Sequence, residues 1–580
     1  QAEDGIRVVL GSRGRGDVYK RQLSYFAEVL AAKASLESET DTEAAEEVPE
    51  GEKKSSIAAL LAETMQRIDP QDPRTALYAY LNGRTAACDV DNVALVYPFG
   101  CNASQKLAVQ RALGNRVSVV EGPPGTGKTQ TILNIVANLL MQGKTVGVVS
   151  NNNAAVDNVR DKLSKYEYGA LMAELGNRTR RQAFFADKQQ DFMPDPTWRL
   201  PAEERTALRT RLGELSAAID ELFRVNAELA DLRTKRSYAQ CEYRHLLWEQ
   251  PLDEARMRRV DRCFFRPIDS RRALSFRHLV TERWQGGRPS LALRAGLLFR
   301  CGAWPGKRLF ADAELLPAYA DRKFYETYIA ELSARIARLG APSDEQRAKS
   351  LIEAYGKVSE ALFRDMLYRK YERLNEARQE ERPPFTMQNY RTHFRTFVER
   401  YPVVLSTTHS LCASIGAGHL LDYVIIDESS QVDILTAAVC CACCRNIIII
   451  GDSRQLPHIV EEQLRAKAEE LRDKHRVPDA YDYVRQNILS SFKRVFGERL
   501  PVTLLREHYR CHPLIIDFCN RKYYRNELLI MTEPKGDYPF TVLTTTASKT
   551  YSHNGRIYNQ RQIDATCDWI CLLYTSDAAD

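Results

Sequence analysis

The sequence predicts an α/β protein in which a parallel sheet is split by a long helical insertion. Three observations carry that expectation. Residues 117–150 read as strand, glycine-rich loop, helix and strand, an order that makes parallel neighbours. Two strongly apolar runs, Tyr423–Ile426 (YVII) and Ile447–Ile450 (IIII), look like central strands buried on both faces. Between the two groups the alternation of strand and helix stops for more than 200 residues.

Taken in order, residues 1–22 and 571–580 read as foreign to the protein. Cys571–Asp580 (CLLYTSDAAD) can be encoded by DNA resembling a transposon adapter used for sequencing libraries. The reverse strand of that adapter's core encodes DVYKRQ, which is Asp17–Gln22. Both ends are therefore expected to be an assembly scar, and the chain a fragment open at both ends. Residues 23–92 predict a helical remnant (Leu23–Lys33, then Ser56–Arg84) interrupted by Glu37–Glu52. That run carries eight acids and no aromatic residue, the composition of a solvated linker.

Residues 93–165 form the first part of the sheet domain. Val117–Glu121 (VSVVE) is a short buried strand, and Ile132, Ile135, Val136, Leu139 and Leu140 mark a helix over Lys128–Met141. Gly143 ends it, and Thr145–Ser150 is the next strand. Residues 166–398 are the insertion. Leu208, Leu212, Leu215, Ile219, Leu222 and Leu229 fall on a 3.5-residue period, and Tyr325, Ile329, Leu332, Ile336 and Leu339 repeat it. Two readings stay open for them: a helical hairpin or stalk, and amphipathic helices packed on an ordinary core. Residues 399–499 return to the sheet domain, and 500–570 begin a second, truncated one.

The 580-residue chain has ordinary soluble composition, with 44% hydrophobic and 27% charged residues. No apolar run approaches the roughly 20 residues that span a bilayer; Leu291–Leu298 is broken by Arg294. Fourteen scattered cysteines and no signal-peptide pattern point to a reducing, cytoplasmic setting without a membrane partner. Charge is uneven. Asp253–Phe310 holds 13 Arg and one Lys against five acids, although the whole chain is only +6. Phe264, Phe265, Phe276, Trp284 and Trp304 interleave with those arginines, a pattern suited to bases and phosphates. A solvated Arg-rich surface over buried aromatics would look the same.

The glycine-rich loop is Gly122, Pro123, Pro124, Gly125, Thr126, Gly127, Lys128 and Thr129, followed by Gln130. Glycines let backbone N–H groups wrap phosphates at a helix N-terminus. Lys128 would place its charge on the β- and γ-phosphates of ATP, and the Thr129 hydroxyl would ligate Mg²⁺. The matching acids are Asp427 and Glu428 after YVII: Asp427 for Mg²⁺, Glu428 to orient and deprotonate the attacking water. Lys128 and Glu428 stand 300 residues apart, too far for a compact AAA+ core.

Further along come Gly451–Pro457 (GDSRQLP) and Tyr509–Pro513 (YRCHP). GPPGTGKT, DESSQ, GDSRQLP and YRCHP, in that order, resemble superfamily one helicases of the nonsense-mediated-decay branch and its bacterial relatives. The resemblance implies a RecA-like P-loop NTPase sheet and the start of a second RecA-like domain. It implies that Gln105, in NASQKLAVQRAL, reads adenine, that Gln455 senses the γ-phosphate, that Tyr509 stacks on adenine and that Arg510 reaches the γ-phosphate. Asn152–Asn158 and Leu405–Thr408 resemble the branch's two backbone-gripping motifs, so Asn153, Asp157, Thr407 and Thr408 are expected on nucleic acid. The family's last motifs, with a second γ-phosphate arginine, are expected beyond residue 580, which would leave this chain binding ATP and Mg²⁺ but hydrolysing ATP weakly.

The function so implied is a monomeric 5′-to-3′ helicase or translocase on single-stranded DNA or RNA. An ATP-gated binding switch and an AAA+ remodelling ATPase are the alternatives. Cys440, Cys441, Cys443 and Cys444 contain two CxxC pairs, but a tetrahedral metal site needs a second ligand pair nearby. They are read as packing residues, and His458 and His512 as structural.

Overall fold

The computed structural model of the chain describes residues 12–44, 56–88, 94–249, 253–284, 288–311, 313–339, 342–376, 384–533, 543–546, 549–553 and 556–577. They fall into two compact units. One runs to Tyr509 and takes in Glu527–Met531; the other comprises Arg510–Asn526 and the residues from Thr532 onward.

The first unit is built on a seven-stranded sheet of β1 (Val117–Glu121), β2 (Val146–Ser150), β3 (Met172–Glu174), β4 (Val403–Thr407), β5 (Leu421–Asp427), β6 (Cys444–Gly451) and β7 (Val502–Leu504). Its order is β3-β4-β2-β5-β6-β1-β7, and every pair is parallel. Side chains alternate between two cores as the two-residue period of a strand requires. Val424, Ile426, Ile447 and Ile449 join one apolar cluster, whereas Tyr423, Ile425, Ile448 and Ile450 join the other. This is the parallel, doubly covered sheet that YVII and IIII predict.

The sheet is larger than its sequence signals. β3 lies inside the expected insertion, and β7, in the stretch from 500 on that is expected to open a second domain, pairs with β1. Three-residue strands such as MAE and VTL carry no readable period, so the sequence pattern places both outside the sheet domain.

The helix Lys128–Met141 is buried from Thr131 through Leu140. Two asparagines on it clamp the segment before it. Asn138 Nδ2 donates to Val96 O at 2.7 Å while its Oδ1 accepts from Val96 N, and Asn134 Nδ2 donates to Gly100 O at 2.7 Å. Buried amides satisfied in this way fix register.

The N-terminal helices belong to the core. Ser12–Ala44, Ile57–Arg67 and Ala76–Asn82 bring Tyr25, Phe26, Leu61 and Tyr80 against Ile434, Cys440, Cys441 and Phe492. Residues 12–22 of the expected scar form the first turns of Ser12–Ala44, with Gln22 buried. The same helix continues over the start of the expected acidic linker, whose remaining residues, 45–52, lie outside the described residues. Cys440, Cys441, Cys443 and Cys444 are all buried where a helix runs into β6, and Cys440, Cys443 and Cys444 donate Sγ–H to backbone carbonyls.

In the insertion, Ala202–Glu249 is one helix about 70 Å long at 1.5 Å per residue. Both readings of its heptads hold, for different halves. Leu212, Leu215, Ile219 and Phe223 pack into the core beside Tyr355 and Phe363 of Pro342–Glu376. The distal half pairs with Leu316–Leu339 as a stalk, joined by Tyr243 to Glu326 and by Arg335 to Glu228. At its end a small apolar cluster (Met257, Phe276, Leu297, Leu309, Tyr319) builds a separate tip.

The second unit begins with the helix Pro513–Tyr523, whose N-terminus is capped by the His512 side chain accepting from Leu514 N. It also contains an antiparallel pair, Tyr551–His553 with Arg556–Tyr558, and the helix Gln560–Asp577. That helix covers much of the C-terminal stretch read as scar; residues 578–580 lie outside the described residues. No described helix is long and apolar enough to cross a membrane.

Candidate nucleotide site

The strands β1, β2, β4, β5 and β6 end at one edge of the sheet, where ligands of parallel sheets bind. After β1 the chain turns into the loop Gly122–Gly127 and then the helix Lys128–Met141. Gly125 and Gly127 take φ of 91° and 83°, the left-handed region that favours glycine. The loop is packed closely from behind. A Cβ on Gly127 would stand 2.2 Å from Gln105 Nε2, and one on Gly122 would stand 2.5 Å from Thr126 Oγ1. The helix has no side-chain N-cap bond, so its first N–H groups are left to an anion. Lys128 Nζ donates to Gly122 O at 3.1 Å.

Facing this loop, β5 delivers Asp427, and Glu428 follows in the left-handed region at φ 50°. Glu428 Oε1 lies 4.0 Å from Lys128 Nζ, while its Oε2 is buried without a hydrogen-bond partner. Asp427 Oδ1 accepts from Glu428 N at 2.8 Å. Burial, and then the Glu428 charge beside it, push the Asp427 carboxyl up to about 6. A buried carboxylate held this far from its usual range is the group a divalent cation relieves. With the Thr129 hydroxyl it makes an all-oxygen donor set suited to Mg²⁺. Thr129 Oγ1 already accepts from Asn158 Nδ2 at 3.3 Å.

β6 lies between β1 and β5, so its following loop, with Gln455, emerges between the phosphate loop and the acids. That loop is tied to β1: Ser453 N donates to Glu121 Oε1 at 3.3 Å, and Lys493 pairs with the other Glu121 oxygen. A Cβ on Gly451 would meet Ser429 Oγ at 2.3 Å, so the β6 end and the acidic loop are in contact.

Gln105 is buried behind the loop. Its Oε1 accepts from Asn102 N at 3.0 Å, and its Nε2 donates toward Thr126 O, Gly127 O and Gln130 Oε1 at 3.2–3.3 Å. Both ends of the amide expected to read adenine are thus engaged inside the chain, and Gln105 braces the phosphate loop. Tyr509 N donates to Gly125 O at 3.1 Å, and the Tyr509 ring is half exposed beside the loop. Glu507 is buried there, accepting from Ser104 N and Ser104 Oγ.

The four residues expected on nucleic acid differ in access. Asn153 and Asp157 lie on the helix Asn153–Lys165 after β2. Asp157 is held by Arg180 (2.6 and 2.9 Å) and Arg160 (2.9 Å), so it places two guanidinium groups and is already paired. Thr407 is half-buried at the end of β4, whereas Thr408 is fully buried. Arg510 opens the second unit and is exposed there.

Three contacts escape the sequence reading: Asn158 on Thr129, Glu121 with Lys493, and Glu507 on Ser104. Only Asn158 sits inside a recognised motif, four residues past Ala154. A cavity of about 1010 Å³ lined by Arg209, Lys370, Met141 and Pro402 lies at the strands' opposite edge, away from this chemistry.

Sheet, loop and acids together define a P-loop NTPase of RecA-like architecture. A family profile described as an AAA domain matches residues 100–463, more than half of the chain, and the chain belongs to that family, within the superfamily one branch that includes the nonsense-mediated-decay helicases. It is 39% identical over 93 residues to the DNA polymerase alpha-associated DNA helicase A of Schizosaccharomyces pombe, which covers 16% of this chain and 14% of that protein. It is 22% identical over 550 residues to the uncharacterized ATP-dependent helicase MG140 of Mycoplasma genitalium (79% of this chain, 48% of that one). It is also 32% identical over 129 residues to a regulator of nonsense transcripts 1 homolog from Neurospora crassa (21% and 11%). The chain thus spans at most about half the length of these relatives.

Proposed function

We propose that the protein is an ATP-dependent helicase or translocase acting on single-stranded nucleic acid, with its ATP site at Lys128, Thr129, Asp427 and Glu428. The observation that carries this reading is the meeting of Lys128 and Glu428, 4.0 Å apart, with one buried Glu428 oxygen unpartnered. Relatives named as ATP-dependent and DNA helicases support it.

In this reading the loop amides and Lys128 bind the phosphates. Thr129 and Asp427 would hold Mg²⁺, which supplies charge neutralisation on the phosphate oxygens. Glu428 orients a water through its free oxygen and takes its proton. Gln105 keeps the loop closed from behind, and Tyr509 offers a ring to the base. Gln455 and Arg510 would report the γ-phosphate to the nucleic-acid grip, and movement runs 5′ to 3′. Asn153, Thr407 and the guanidinium groups fixed by Asp157 would touch the strand. Such contacts, mostly to phosphate, give affinity that falls steeply with salt.

The test is Glu428→Gln. ATP binding persists and hydrolysis is lost if Glu428 is the base; unchanged hydrolysis would refute the assignment.

A further inference from the structure

The tip of the stalk carries a surface that the ATP site does not use. Phe264 and Ala303 face each other in an antiparallel bridge, with Phe265 N donating to Gly302 O at 2.9 Å and Trp304 N to Cys263 O at 2.7 Å. Strand alternation then divides the aromatics. Phe264 turns inward, its ring 5.2 Å from Phe276 and 6.0 Å from Tyr319. Phe265 and Trp304, one residue away on each strand, share the outer face and are 55% and 66% exposed. A single exposed ring is ordinary; two on one ribbon face form a patch.

Charge narrows the partner. Arg262, Arg266, Lys307 and Arg308 flank the ribbon, are exposed and have no acidic partner among the described residues. Arg266 instead lies 5.8 Å from the Phe265 ring centroid. The tip's five acids are engaged elsewhere: Asp253 accepts from Ala255 N, Glu254 pairs with Arg322, Asp261 with Tyr319 and Lys323, Asp269 with Arg272, and Glu282 with His278. The face is therefore apolar, aromatic and uncompensated in positive charge.

We propose that Phe265 and Trp304 are a stacking platform for a single strand of nucleic acid, held by phosphate contacts from the flanking cations. This is a second contact, resting on the reading of nucleic acid as the protein's track. The stalk helix leaves the core after Phe223 and ends at Glu249, about 40 Å further on at 1.5 Å per residue. A strand that fills only the core cannot reach the tip.

The experiment compares wild type, Phe265→Ala/Trp304→Ala and Ile57→Ala in fluorescence anisotropy, without nucleotide. The probes are a labelled poly-thymidine strand about 10 nucleotides long, within the usual site size of such platforms, and one several-fold longer. The double variant should lose roughly ten-fold or more affinity for the long strand, since each stacked base contributes substantially. Ile57→Ala, an exposed position on an N-terminal helix, should keep wild-type affinity. Trp304 fluorescence should be quenched by the strand in wild type, and that component should vanish in Trp304→Phe. Unchanged long-strand affinity in the double variant overturns the platform alone. Failure of wild type to bind ATP with Mg²⁺, with tip binding intact, contradicts the proposed function alone. Failure of wild type to bind either strand overturns both. Both rings are solvent-exposed, so far-UV circular dichroism should show the double variant folded.

Discussion

Lys128 and Glu428, which follow strands on opposite sides of β6, approach to 4.0 Å across the mouth of the phosphate loop. An amine this close to an acid marks where a γ-phosphate would be inserted between positive charge and base. Glu428→Gln should lower ATP hydrolysis by roughly 10²–10⁴-fold, the range for a general base, with ATP affinity preserved. Lys128→Ala should lose the affinity itself. Fluorescent-nucleotide titration and phosphate release, measured on the same preparations, separate the two effects.

The loop's glycines should resist substitution for steric reasons. Gly127 is at φ 83° with Gln105 Nε2 where a Cβ would go, and Gly451 meets Ser429 in the same way. Gly127→Ala combines a strained backbone with a clash and should cost roughly 1–3 kcal/mol. Gly143→Ala makes the control, since it shares the positive φ but has open space around it. Urea midpoints of the two variants should differ, with Gly127→Ala the less stable.

Asp427 is buried beside a second carboxylate, which raises its pKa to about 6. Asp427→Asn removes that buried charge. It should raise the unfolding temperature by a few degrees at neutral pH without Mg²⁺, while abolishing ATP hydrolysis. Mg²⁺ with ATP should stabilise wild type far more than the variant, because only wild type keeps the ligand set. Scanning calorimetry with and without the pair reads both effects.

Tyr80 ties the N-terminal helices to the sheet domain. Its ring stacks on Phe492 at 4.5 Å and its hydroxyl bonds Ser491. Tyr80→Ala should cost roughly 3–5 kcal/mol, and Tyr80→Phe roughly 1 kcal/mol. Denaturant melts of both variants check the pair.

Much of this architecture was legible because some residues have one physical outcome. IIII and YVII cannot face water on either side, so they announced central strands. GPPGTGKT fixed the position of the loop because glycine and lysine at that spacing serve phosphate. What stayed hidden depended on partners far away in the chain. MAE and VTL became strands only because β4 and β1 offered free edges. Gln105 reads in sequence as a base-recognition residue, yet its amide is taken up by Asn102 and the loop carbonyls. Asp157 appears free in its motif, but Arg180 arrives from 23 residues on to pair with it. The Phe265–Trp304 face was hidden too, because composition counted both rings without saying which way a short ribbon would turn them.

Whether the Lys128–Glu428 site drives unwinding is decided by a strand-displacement assay on the full-length protein, wild type against Glu428→Gln, started by ATP and Mg²⁺. Wild type should displace the strand only when ATP is present, and Glu428→Gln should not displace it although it still binds ATP and strand. Equal displacement by the two proteins, or displacement without ATP, would contradict the proposed function.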